Sequence, residues 1–153
     1  MANSQAMTTS FKGEILQGVH NFGTAPVRAS TAADSFSAAL YLASASLGAA
    51  TTVYSTTGEV TGTNYSPGGV AVTNATAPAT SGTTAYWTPS ASLTYSNVTL
   101  TTPFDCVLIY NSTQSNKAVS AHTFTAQTVT SGTFTLTMPS NTTSTALLRL
   151  ATT

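Results

Sequence analysis

A chain of 153 residues has the size of one ordinary domain, able to bury about two-thirds of the surface its unfolded form exposes. Only 5% of its residues are charged, four basic against four acidic for a net charge of zero. That excludes nucleic acid or an anionic membrane as a main partner, because both require clustered Lys and Arg. With 41% apolar residues the chain is also unlike a disordered one, and a near-neutral surface of Ser, Thr, Ala and Gly lacks the charge repulsion that keeps monomers apart. The composition therefore points to a folded protein that assembles.

The spacing of Phe11, Ile15, Val19 and Phe22 predicts one amphipathic helix over residues 9–22, with Gly23 as its stop and Gly13 and Gly18 weakening it. Residues 23–33 contain Pro26 and small side chains and read as an extended connection, so residues 1–33 are expected to form an N-terminal arm. From Asp34 the period changes to two: Phe36, Ala38, Leu40 and Leu42 alternate with Ser37, Ala39 and Tyr41, the pattern of a core strand. Further strands are expected over 51–54, 58–61, 69–74, 83–87, 93–100, 105–110, 117–125, 133–138 and 146–150. They are punctuated by Ser66-Pro67-Gly68-Gly69, Thr80-Ser81-Gly82, residues 111–116 and Thr130-Ser131-Gly132. The run Cys106-Val107-Leu108-Ile109-Tyr110 is apolar on both faces, as a central strand would be, and with the following strand it reads as a hairpin in the middle of a sheet. Many short strands without alternating helices predict a mainly β domain over 34–153, an antiparallel β-sandwich of jelly-roll type.

No run reaches the 18 or more apolar residues of a membrane-spanning helix. The first residues lack the basic and apolar regions of a secretory signal, and the single Cys106 cannot form an internal disulfide, so synthesis in the cytoplasm is expected.

The residues able to carry chemistry are few and scattered. His20, His122 and Cys106 provide no ligand pair of zinc spacing, so no metal is expected, and no cofactor. There is no G-x-S-x-G elbow, and Asp34, Asp105, Glu14 and Glu59 stand alone rather than in the pairs that glycoside hydrolysis needs. The glycine-rich segments lack both phosphate-binding spacings. No catalytic residue is assigned, and the chain is not expected to be an enzyme. Tyr86, Trp87 and Tyr95 could form an aromatic platform for sugar, or else close a core or line a subunit contact. Phe11, Ile15, Val19 and Phe22 are the candidate assembly contacts.

Three segments resemble a family of small virion structural proteins of tailed bacteriophages. They are Thr9-Ser10-Phe11-Lys12-Gly13-Glu14-Ile15-Leu16; the stretch from Phe36-Ser37-Ala38-Ala39-Leu40-Tyr41-Leu42 through Gly58-Glu59-Val60-Thr61-Gly62-Thr63-Asn64-Tyr65; and Leu108-Ile109-Tyr110-Asn111-Ser112 through Asn116-Lys117-Ala118-Val119. The chain departs from the family at His122-Thr123-Phe124-Thr125, where other members more often carry an acidic residue with Phe and Gly. The resemblance implies a particle component, without choosing among capsid decoration, tail and adsorption roles; a place on the capsid surface comes with the first of these. The leading expectation is a decoration or cement protein, a homotrimer that bridges subunits of the major capsid protein through its arm. The alternative is a tail-associated or head-fibre module binding host-surface carbohydrate.

Overall fold

A computed structural model describes residues 2–8, 10, 11, 15, 18–20, 22 and 33–151. Over the described residues the chain is mainly β, with two antiparallel sheets and almost no helix. Its strands are β1 (Ala6–Met7), β2 (Phe36–Leu42), β3 (Val70–Val72), β4 (Ala79–Ser81), β5 (Thr84–Trp87), β6 (Leu93–Asn111), β7 (Lys117–Leu136) and β8 (Leu148–Ala151). One sheet has five strands in the order β1-β7-β6-β2-β3, and the other has three in the order β4-β5-β8.

The two-residue alternation in β2 is realised as the sequence predicts. Phe36, Ala38 and Leu40 enter the main core, and Ala39 and Tyr41 enter a second cluster on the opposite face. β6 lies in the middle of the large sheet and is buried on both sides over Cys106–Tyr110: Val107 and Ile109 face the main core, Cys106, Leu108 and Tyr110 the other. The main core is closed by Trp87 and Leu148 of the small sheet, and the second face by Leu47 and Tyr54 from the segment that follows β2.

The sequence predicts four strands where the chain forms two long ones, β6 and β7, joined by a turn in which Ser115 and Asn116 take positive φ. Residues that look like breaks are bulges. Leu93 and Tyr95 face the main core from odd positions, Val98, Leu100 and Phe104 from even ones, and Val107 and Ile109 from odd ones again. An uninterrupted strand would turn half of these outward. The ladder shifts register between Tyr95 and Val98, where Asn97 has φ 53°, and again between Phe104 and Cys106. Each extra residue resets the alternation, so the whole length of β6 keeps its large side chains on the core. Pro103 sits in one of these irregular stretches, where a missing N–H is tolerated.

Other expectations are corrected. The strands expected over 51–54 and 58–61 are reduced to single bridges, Val53 with Lys117 and Glu59 with Tyr41, while β1 and β4 were not foreseen. Half of the residues of the helix expected over 9–22 lie outside the described ones. Of those described, Ser10, Phe11 and Ile15 are helical. The stop comes at Gly18 rather than Gly23: its φ of 66° and the bond from its N–H to the Ile15 carbonyl, 3.0 Å, are those of a helix C-terminus.

Candidate functional site

The candidate assembly stripe is drawn into the chain's own core. Phe11 is 2% exposed, and Ile15 and Phe22 pack on the same cluster. Phe22 stacks on Phe36 at 4.4 Å between centroids and meets Trp87 edge-on at 4.7 Å, while Phe11 meets Phe22 at 5.8 Å. Val19 is half-buried. These contacts cross the boundary expected at residue 33, so Phe11, Ile15 and Phe22 are docked on the β-domain and already occupied.

Polar contacts add to that docking. Asn3 donates from Nδ2 to the Leu42 carbonyl and to Asp105 Oδ1 at 2.6 Å, and accepts at Oδ1 from the Leu47 N–H at 2.9 Å. Ala6 and Met7 of β1 pair with Ala121 and Ser120 of β7, and the Thr8 N–H continues the ladder to the Val119 carbonyl. Farther on, Asn74 Nδ2 donates to the Phe22 carbonyl. The buried Asn111 donates to Asp34 Oδ2 at 2.8 Å and lies 3.0 Å from His20 Nδ1. An apolar cleft of about 170 Å³ remains between Phe11 and Ile15 on one side and Tyr86, Trp87 and Leu150 on the other.

The aromatic trio does not form one platform. Trp87 is 3% exposed, with Nε1 donating to Asn74 Oδ1 and the Thr76 carbonyl. Tyr95 is 2% exposed, and its hydroxyl donates to the Ala38 carbonyl at 2.8 Å. Tyr86 alone is half-buried. The hydrogen bonds explain the burial: each ring brings a polar atom inside and each such atom has a partner.

Cys106 is likewise buried in the interior, and His122 is half-buried. His122 is held near Ser120 Oγ at 2.9 Å, and burial lowers its pKa to about 4, so the ring is neutral near pH 7. Burial, followed by the charge of Asp105, pushes the Cys106 thiol up to about 12, which leaves it protonated and a poor nucleophile. Lys12, Glu14 and Arg28 lie outside the described residues. Among the described residues no group of three or more His, Cys, Asp or Glu could hold a metal ion, and no helix is long and apolar enough to cross a membrane.

The most developed polar site is one that the sequence does not announce, centred on Glu59. This residue pairs with the β2 edge opposite Tyr41 and is 6% exposed. Its Oε1 accepts from the Tyr65 hydroxyl at 2.8 Å and the Gly68 N–H at 2.7 Å, and its Oε2 from the Tyr54 hydroxyl at 2.7 Å. Tyr65 Oη in turn accepts from the Leu40 N–H at 3.0 Å, and Tyr110, stacked on Tyr54 at 4.6 Å, donates to the Gly68 carbonyl. Burial, and then the hydrogen bond each donates to Glu59, raise the pKa values of Tyr54 and Tyr65. The turn Ser66-Pro67-Gly68-Gly69, with φ of 92° and 74° at its glycines, brings the Gly68 N–H to the carboxylate. Three donors on two oxygens compensate the buried charge, so the cluster is a latch that fixes residues 54–69 to β2. The only signals in the sequence are a lone acidic residue between two tyrosines and a following Pro-Gly-Gly, none of which implies convergence. Comparison of the chain with models of protein families, with curated proteins and with solved structures finds no match.

Proposed function

We propose that this chain is a non-catalytic structural component of a tailed-phage virion, a capsid decoration protein that stabilises the head by bridging subunits of the major capsid protein. The observation that supports it best is where the reactive residues lie. Glu59 and Cys106 are buried and His122 is half-buried, and Glu59 and His122 have hydrogen-bond partners, while β7 presents exposed, uncharged Thr and Ser to solvent. A surface of this kind suits close packing against copies and against a shell. The two sheets sharing one core are read as a sandwich. In this reading the chain binds itself and the shell protein, takes no cofactor, and resides on the capsid surface. The carbohydrate-binding alternative loses its platform, because Trp87 and Tyr95 face inward.

The test is a comparison of particles with and without the protein. Particles lacking it are expected to rupture at lower temperature and under milder osmotic shock, and complete particles to carry it in hundreds of copies. Particles that are equally robust but fail to adsorb to cells would overturn the decoration role and support the adsorption module.

A further inference from the structure

We propose that the outer margin of β7 is an interaction surface for a second copy of this chain, the two β7 strands pairing antiparallel about a two-fold axis over residues 132–136, with Phe134 opposite its own counterpart. This rests on the reading that the chain binds itself, and it names the surface by which it does so.

β7 has 20 residues, yet β1 covers its outer side only at Ser120 and Ala121, with the Thr8 N–H adding one bond to the Val119 carbonyl. Over residues 122–136, β6 is the one strand paired with it among the described residues. Backbone groups along a strand point alternately to its two sides, so this stretch turns a row of N–H and C=O groups outward, a template for one more strand. Proteins commonly guard such an edge by keeping it short or by placing charge or Pro on it. The other sheet margins here are short: β3 and β4 have three residues each and β8 has four, Arg149 among them. β7 has neither protection, since residues 118–136 contain no Lys, Arg, Asp, Glu or Pro.

Bulges interrupt this edge between residues 123 and 127 and at Ser131, where φ is 46°. Beyond them it is regular. Leu136, Thr135 and Phe134 pair in step with Leu93, Thr94 and Tyr95, and Gly132 pairs with Val98, the extra residue falling on β6. None of residues 132–136 has a positive φ. They offer about 17 Å of strand, an ordinary length for pairing.

The side chains of that stretch are complementary to themselves. A two-fold antiparallel pair centred on Phe134 sets Thr133 against Thr135 and Gly132 against Leu136 of the other copy, on both sides of the axis. Thr133 and Thr135 are exposed, and cross-strand Thr pairs hydrogen-bond. The bulky Leu136 meets the bare backbone of Gly132. Phe134 is half-buried at the rim of the main core, its ring 4.9 Å from Phe104 and 5.4 Å from Phe124 between centroids. Across the axis its counterpart covers the part left to solvent and joins the two aromatic groups into one. An uncharged edge meets its own copy without repulsion, whereas a charged segment of another protein finds no counter-charge on it.

The test is sedimentation equilibrium of the full chain over a range of concentrations, for the parent, for Thr133→Lys/Thr135→Lys and for Thr133→Lys/Thr135→Glu. Both positions are exposed, and the urea midpoint followed by Trp87 fluorescence checks that each variant folds. The parent is expected to dimerise. The Lys/Lys variant sets like charges opposite each other at two places and should weaken the dimer by about tenfold or more. The Lys/Glu variant sets opposite charges at the same two places and should restore it, a rescue that only the antiparallel register allows. Multimers indifferent to these charges overturn the edge while self-association stands, and a parent that is monomeric throughout overturns both. A monomeric parent whose Lys/Lys variant no longer binds particles assigns the edge to the shell protein, which also overturns the proposal. Should a charged variant fail to fold, differently tagged Thr133→Cys and Thr135→Cys chains are mixed and oxidised. Disulfides joining unlike tags are expected to dominate, and none, or no excess over like tags, overturns the pairing.

Discussion

Replacing Glu59 should unlatch residues 54–69 and show how much of the stability rests on one buried carboxylate. Hydrogen bonds to a charged group contribute about 1.5 to 3 kcal/mol each. Tyr54 is half-buried and can turn to water when its partner is lost, so the bonds from the Tyr65 hydroxyl and the Gly68 N–H dominate. Glu59→Ala is then expected to cost about 3 to 6 kcal/mol, against a total on the order of 5 to 15 kcal/mol for a domain of ordinary stability. Glu59→Gln keeps one acceptor oxygen for the same two donors and sheds the charge, so its cost should be smaller, about 1 to 2 kcal/mol. The assay is urea unfolding followed by fluorescence, which reports on the core because the one tryptophan, Trp87, lies in it. A double-mutant cycle between Glu59→Ala and Tyr65→Phe isolates their coupling, expected at 1 kcal/mol or more as an order-of-magnitude figure. If Glu59→Ala stays within about 1 kcal/mol of the parent, or if the two substitutions are additive, the carboxylate does not hold the segment.

Gly69→Ala should destabilise by at least about 2 kcal/mol, since its Cβ would strike the Ala38 carbonyl at a φ of 74°. Gly82→Ala, at φ 56° with open space around it, should cost only about 1 kcal/mol, and equal losses in urea midpoints would refute the steric argument. For His122, the folded pKa of about 4 lies below the usual 6.5, so the unfolded chain binds more protons between these values and stability falls as pH drops through that window, by up to about 3 kcal/mol. His122→Gln should remove that loss, which unfolding at pH 7, 5.5 and 4 measures; an unchanged slope would assign it elsewhere. Cys106 should resist thiol reagents until the chain unfolds, and Cys106→Ser should cost about 1 to 3 kcal/mol by burying a hydroxyl; rapid labelling of the folded protein would contradict its enclosure.

β2 and the centre of β6 were legible in the sequence because each carries a complete burial code, alternating in the first and apolar on both faces in the second. The continuity of β6 and β7 was not, since Asn97, Pro103 and Ser131 are residue types that serve equally in turns and in bulges, and only cross-strand pairing distinguishes the two. β1 and β4, of two and three residues, are too short to carry a period. The spacing of Phe11 and Phe22 marks them as apolar contacts, but a pattern of spacing says that a face is buried without saying against which surface. The Glu59 cluster is not legible in the sequence, because its donors come from Tyr54, Tyr65 and Gly68, a convergence produced by the path of a loop rather than by a motif.

The two-sided burial of the large sheet sets how the molecule opens. The amides of β6 between Cys106 and Tyr110 lie between two paired strands and beneath two apolar layers, so solvent reaches them only when the whole domain comes apart. The small sheet, with strands of three and four residues, can fray in a local fluctuation that leaves the β6–β7 hairpin intact. Hydrogen exchange should therefore be graded across the fold, slowest in the middle of β6 and fastest in β4.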